Sequence, residues 1–376
     1  MKKVIAILLV LVMVFALAAC GSGNTPANTG GNTTPAPQNN TAGGNEAAPE
    51  KLEWPTKELT IYSGYEAGSL TDNNIVTIKD WIVQQTGIKV TIENDKNGGG
   101  ANLANKLVKA DADGSYMMMI GINCIGNYYN GIWAVNPADD SQFKVVCGCP
   151  MPDPYCGSVL LTQESSPYSN WKEFADYVKA HPGEVTVMDI PGKVMDMKTK
   201  SILIQTGLYE YIKPFPTSSA DSTAGLLGGT INVVMLDEST AAKLLADPSN
   251  KVKAIISDRP DESFAGLEKD PNFELIKSIP TLVDEFGQEL ATQYNCPNTS
   301  AFVVPAATPD DVVETMAKII NAIGDEPEST DPESFYMRVR ANGGTSKFYT
   351  WPGTEIMAEW QRLDPIIKQI IETNKK

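Results

Sequence analysis

Three regimes of hydrophobic patterning divide this chain. The first is an unbroken apolar run from Val4 to Leu17, preceded by Lys2 and Lys3. The second, residues 21–50, has no apolar periodicity and is built almost wholly of Gly, Asn, Thr, Ala and Pro, with Glu46 and Glu50 as its charges. In the third, from Lys57 onward, strand and helix periods alternate. Glu58–Ser63 reads as a strand, and Asp72 is placed to cap a helix running to about Thr86, with Ile75, Ile78 and Ile82 on one face and Gly87 as its stop. Ile88–Glu93 is a second strand. Gly98-Gly99-Gly100 leads into a helix carrying Leu103, Leu107 and Val108, and Ser115–Ile120 is a third strand. This β-α-β-α-β rhythm predicts a parallel sheet with right-handed crossovers.

A second round begins after the turn-rich Pro150–Pro154. Strands are predicted from Gly157-Ser158 to Thr162, then over Glu184–Met188, Ile231–Leu236 and Val252–Ser257, with a helix around Trp171–Lys179 and others between. The last third gives a strand over Ser300–Val304, a helix from Pro309 to about Ile323 and a final helix from about Gly353 to Thr373. This body is longer than one hydrophobic core usually serves, so two α/β lobes are expected. Lobe 1 takes residues 52–150 and 300–376, and lobe 2 takes 151–299. The chain crosses between them near Cys149–Cys156 and Tyr294–Ser300. Ligands of open parallel sheets sit outside the carboxyl ends of the strands. Loops 64–72, 96–101 and 121–127 all leave such ends and should share an edge.

The N-terminal regime acts as an address. A positive start, a short apolar core and Leu17-Ala18-Ala19-Cys20 mark residues 1–19 as a secretory signal. The run of 14 apolar residues is short for a retained span, which needs roughly 20. The residues before Cys20 resemble the bacterial lipobox, which implies acylation of Cys20 and a lipid anchor on the outer face of the cytoplasmic membrane. Residues 20–51 then form a flexible tether.

Charge and residue counts narrow the functions. A formal charge of −16 disfavours nucleic acid and anionic lipid surfaces. The single histidine, His181, lies in a His-Pro-Gly turn, which argues against Ser-His-Asp or Cys-His catalysis. Gly98–Gly100 lacks the Gly-Lys-Ser/Thr ending of a phosphate loop. Cys147-Gly148-Cys149 with Cys156 lacks paired CxxC spacing and a nearby histidine, so no metal or other cofactor is expected.

Several segments resemble one family. Trp54-Pro55-Thr56-Lys57 followed by a strand and Glu66-Ala67-Gly68-Ser69-Leu70-Thr71-Asp72 is similar to the opening of the receptors of tripartite tricarboxylate transporters, the Bug or citrate-receptor-like family. Glu93-Asn94 with Gly98–Gly100, residues 110–116 (ADADGSY), residues 222–233 (STAGLLGGTINV), residues 280–287 (PTLVDEFG) and residues 304–309 (VPAATP) resemble later family segments in order. The resemblance implies a type II periplasmic-binding-protein clamshell with two α/β lobes and a two-crossing hinge. It also implies a non-catalytic monomer that captures a di- or tricarboxylate, aromatic acid or amino acid and presents it to a two-subunit membrane carrier. A receptor that signals through a membrane sensor is the alternative. The chain departs from the family pattern at Ser69, at Asp95, at Gly121-Ile122-Asn123-Cys124 and at Pro191–Met195.

An acidic protein must hold an anion with local donors, and helix N-termini provide unpaired N–H groups and partial positive charge. Expected lobe 1 contacts are therefore Gly68, Ser69, Thr71, Asp72 and Gly99, with Tyr65, Asn123 and Cys124 lining the same edge. Lobe 2 should contribute Lys193, Ser218, Ser219 and Asp237, Lys193 being the point charge for a carboxylate.

Overall fold

A computed structural model describes residues 53–149, 157–259, 271–341 and 352–373. Cys20, the signal and the tether lie outside the described residues, as do 150–156 of the first expected crossing. Among the described residues, no helix is long and apolar enough to cross a membrane.

The first strands follow the predicted rhythm. β1 (Glu58–Ser63) leads to α1 (Leu70–Thr86), β2 (Lys89–Asn94), α2 (Ala101–Leu107), β3 (Tyr116–Gly121), α3 (Asn123–Tyr129) and β4 (Phe143–Gly148). Ile75, Ile78 and Ile82 of α1 are buried, and left-handed Gly87 ends the helix with its N–H on the Val83 carbonyl. β1 pairs in parallel with both β2 and β3.

The remaining elements are β5 (Ser158–Gln163), α4 (Trp171–Ala180), β6 (Thr186–Asp189), α5 (Val194–Gln205), β7 (Lys213–Pro216), α6 (Ser219–Gly228), β8 (Val233–Asp237), α7 (Glu238–Ala246) and β9 (Val252–Ser257). Short helices α8 (Phe273–Lys277), α9 (Leu282–Phe286) and α10 (Gln288–Tyr294) follow. Then come β10 (Ser300–Pro305), α11 (Asp310–Asn321), α12 (Phe335–Ala341) and α13 (Gly353–Thr373).

Two five-stranded sheets result, in the orders β2-β1-β3-β10-β4 and β7-β6-β8-β5-β9. Neither is wholly parallel, because β10 runs against β3 and β4, and β5 runs against β8 and β9. β4 and β7 were not expected from the sequence. Both are edge strands, and β7 carries Pro214 and Pro216, which an edge tolerates because a ladder N–H is not needed there.

The first sheet is covered on both faces. One face packs the α1 isoleucines with Met316, Ile319 and Ile320 of α11; the other packs Leu103, Ile125, Trp360 and Leu363. Each apolar side chain of this kind contributes about 1.5–3 kcal/mol on burial. The second sheet has its own core of Leu160, Phe174, Val187, Leu203, Leu226 and Ile256.

The two lobes meet along α5. Met197 and Cys296 of the second lobe share a buried cluster with Trp360 and Leu363 of the first. The chain returns between lobes through residues 295–299, beside which Arg362 donates to the carbonyls of Gln293 and Asn295 at 3.2 and 3.1 Å. Ser201 Oγ of α5 donates to the Tyr294 carbonyl at 2.8 Å.

Candidate ligand-binding site

β1, β2 and β3 end at one edge, and the antiparallel β10 starts there, with Ser63 opposite Asn94 and Ser300 opposite Gly121. The loop from β1 into α1 closes on itself. Ser69 caps α1 by accepting the Asp72 N–H at 3.3 Å, so Asp72 is the third helical residue and not the cap. The Asp72 carboxylate, 5% exposed, takes the Gly68 N–H at 2.8 Å, Asn94 Nδ2 at 2.7 Å and the Ser63 hydroxyl at 3.4 Å. The Ser69 N–H goes to the Glu66 carbonyl. The expectation that Gly68 and Ser69 present free N–H groups is thus corrected: loop closure uses both. The Thr71 N–H has no acceptor among the described residues.

A similar correction applies at Gly99. Gly98, Gly99 and Gly100 all have positive φ, and the N–H groups of Gly99 and Gly100 donate to the Lys96 and Asn97 carbonyls. A tight turn before α2 consumes those donors. These glycines serve close packing instead: a Cβ on Gly100 would lie 2.7 Å from Gly64 Cα.

Residues after β3 enter a helix directly, not a loop. Cys124 is in the first turn of α3 and 3% exposed, and burial pushes its thiol up to about 12. It packs the core, which corrects its expected place on the ligand edge. Asn123 is half-buried beside Gly121. A Cβ on Gly121 would lie 2.6 Å from Asn123 Oδ1, 3.2 Å from Ser300 Oγ and 3.4 Å from the Tyr65 hydroxyl, so three polar groups gather around one glycine. Burial raises the Tyr65 phenol far above its ordinary value, with smaller contributions from Cys124 and Cys149. It is a neutral hydrogen-bonding group. Ser300 was missed from sequence because only β10's antiparallel return brings its first residue to this edge.

In the second lobe, Asp189 of β6, Asp237 of β8 and Ser257 of β9 end at one edge where β5 begins, with Ser158 opposite Asp237. Lys193 precedes α5 and is exposed. Ser218 caps α6, accepting the Asp221 N–H at 3.1 Å and donating to Asp221 Oδ2 at 2.6 Å. Ser219 is exposed in the first turn of α6. Asp237 caps α7 by accepting the Thr240 N–H at 2.9 Å.

Beneath this edge lies a buried ionic layer that sequence reading did not find. Lys198 pairs with Asp258 Oδ2 at 2.9 Å, and Lys200 pairs with Asp189 at 2.5 Å and Asp196 at 2.9 Å. Burial alone would lower the Lys200 pKa, but Asp196 and Asp189 outweigh it and hold it raised. Arg259 pairs with Glu238, whose Oε1 also accepts the Ser257 hydroxyl at 2.7 Å. Gly157 is required there, since a Cβ would lie 2.3 Å from Glu238 Oε1. The α5 lysines gave no signal because they interrupt an otherwise ordinary helical segment. Among the described residues, no group of three His, Cys, Asp or Glu could hold a metal.

No family model and no curated protein sequence matches this chain. Its fold does match solved structures over 85% of its length. A TctC solute-binding protein from Polaromonas aligns over 99% of its own chain at 16% identity with a TM-score of 0.63. MatC from Rhodopseudomonas palustris, solved with bound malate, aligns over 100% at 18% identity and 0.54. Rpa4515 of R. palustris, solved with adipate, aligns over 99% at 17% identity and 0.54. The chain has the two-lobed α/β fold of periplasmic solute-binding proteins, with TctC-type binding proteins among its structural neighbours.

Proposed function

We propose that this chain is an extracytoplasmic receptor that captures a small organic acid or amino acid between its lobes and delivers it to a two-subunit membrane transporter. The observation that carries the reading is the gathering of Tyr65, Asn123 and Ser300 around Gly121, at a sheet edge of a fold whose neighbours hold malate and adipate. Thr71 adds a first-turn N–H and Ser69 lies beside it. From the other lobe, residues 151–299, Lys193, Ser219 and Asp237 complete the contacts. Lobe closure would exclude water and strengthen each hydrogen bond.

A thermal-shift screen of carboxylates and amino acids tests this. At least one compound should raise the melting temperature, and Tyr65→Phe should reduce that shift. A flat response across the panel would remove the receptor reading. Acylation at Cys20 completes the proposal, tethering the receptor through residues 20–51. Cys20→Ala should then appear in the medium of the producing cells, whereas unchanged membrane association would refute the anchor.

A further inference from the structure

Charge pairing at the two sheet edges bears on which organic acids fit, and the argument rests on the receptor reading above. On the second lobe, Lys198, Lys200 and Arg259 are each at most 3% exposed in their side chains, and each is bonded to a carboxylate. None is free to meet an incoming anion. On the first lobe, Lys96 is bonded to Glu66 at 2.6 Å. Lys193 is the one cation in the described edge loops without a carboxylate partner. The edges therefore supply one point charge for one carboxylate.

Acidic groups are in the opposite situation. Asp237 is half-buried, spends Oδ1 on the Thr240 N–H and has no cation partner among the described residues. Opposite it in register is Ser158, 1% exposed, whose hydroxyl has no hydrogen-bond partner. A buried hydroxyl without a partner is costly and marks a place where a polar group or water belongs. β6 and β8 are neighbouring parallel strands, so the loop that carries Lys193 leaves the sheet next to Asp237. The loop bearing a cationic group and the strand end bearing an anionic one thus leave the same edge.

We infer that Asp237, with Ser158 behind it, forms an ammonium subsite next to the Lys193 carboxylate subsite, so that the site selects a zwitterionic ligand with one carboxylate and rejects di- and tricarboxylates. A second carboxylate would meet an unpaired aspartate with no cation to offset it, and like-charge contact at an interface discriminates strongly.

Calorimetry on the full chain with glycine, leucine, lysine, malate, adipate and citrate tests the inference. An amino acid should bind at least about tenfold more tightly than any di- or tricarboxylate. Asp237→Asn keeps a good helix cap while removing the charge. It should weaken amino-acid binding by about tenfold or more, with the melting temperature of the free protein unchanged. Tighter binding of malate, adipate or citrate, or an unaltered affinity in Asp237→Asn, would overturn the inference while leaving the receptor reading intact. No binding by any compound would overturn both.

Discussion

Gly68 donates its backbone N–H to Asp72 Oδ2 at 2.8 Å, and this bond fixes the loop that opens α1. The same carboxylate holds Asn94 at the end of β2, so one buried acid ties two strand ends to one helix. Asp72→Ala would remove the shared acceptor of Gly68, Asn94 and Ser63 and, by loss of hydrogen bonds to a charged group, should destabilise the fold by about 2–3 kcal/mol, read from urea unfolding. Gly68→Val acts differently. Gly68 has φ +80° and nothing within 4 Å of an added Cβ, so its cost is backbone strain of about 1–2 kcal/mol.

Glycines of the 98–100 turn should separate by what they touch. Gly100→Ala drives a methyl against the Gly64 backbone at 2.7 Å and should cost about 3 kcal/mol or more. Gly98→Ala meets side chains and no backbone, Ile132 at 3.0 Å, which can turn aside, and the Ala101 Cβ at 3.3 Å. Its melting temperature should fall by less.

Buried and exposed ion pairs should respond unequally. Lys198→Met leaves Asp258 charged and buried, a loss of about 3–5 kcal/mol. Lys89→Met removes a pair with Glu58 whose side chains are 72% and 70% exposed, and should change stability by less than about 1 kcal/mol. Denaturant titration of both variants checks the contrast.

Thiol chemistry gives a pH prediction with a definite sign. Burial pushes Cys124 and Cys296 up to about 12 and raises Cys147 and Cys149 as well. An unfolded thiol ionises near about 8.5. Between those values the unfolded chain releases protons that the folded chain retains. Their contribution is therefore complete below the unfolded pKa and is lost as pH rises towards 12. At pH 8 these four cysteines should resist iodoacetamide in the native protein and react after unfolding, as peptide mapping would show.

Ser300→Ala tests a group that only the structure brought to the edge. Its hydroxyl lies beside Gly121 with Asn123 and Tyr65. The variant should keep its unfolding midpoint and lose about tenfold in affinity for whichever screened compound binds. An unchanged affinity would remove Ser300 from the site.

Local signals were legible wherever backbone chemistry acts over a few residues. The 3.6-residue spacing of Ile75, Ile78 and Ile82 and the stop at Gly87 placed α1, and alternating elements gave two α/β lobes. Val252–Ser257 and Gly353–Thr373 fall where the pattern put them. Loop residues were harder to read, since Ser69, Ser218 and Asp237 carry side chains equally suited to capping and to binding, and in the fold all three cap helices.

What the sequence determined by itself is the order and kind of most elements, because hydrophobic period and cap residues act within one or two turns. Tertiary structure decided the rest. The pairing of Lys198 with Asp258 and Arg259 with Glu238, and the meeting of Tyr65, Asn123 and Ser300, join residues far apart along the chain. Such contacts depend on strand order and the antiparallel return of β10, which no local pattern encodes.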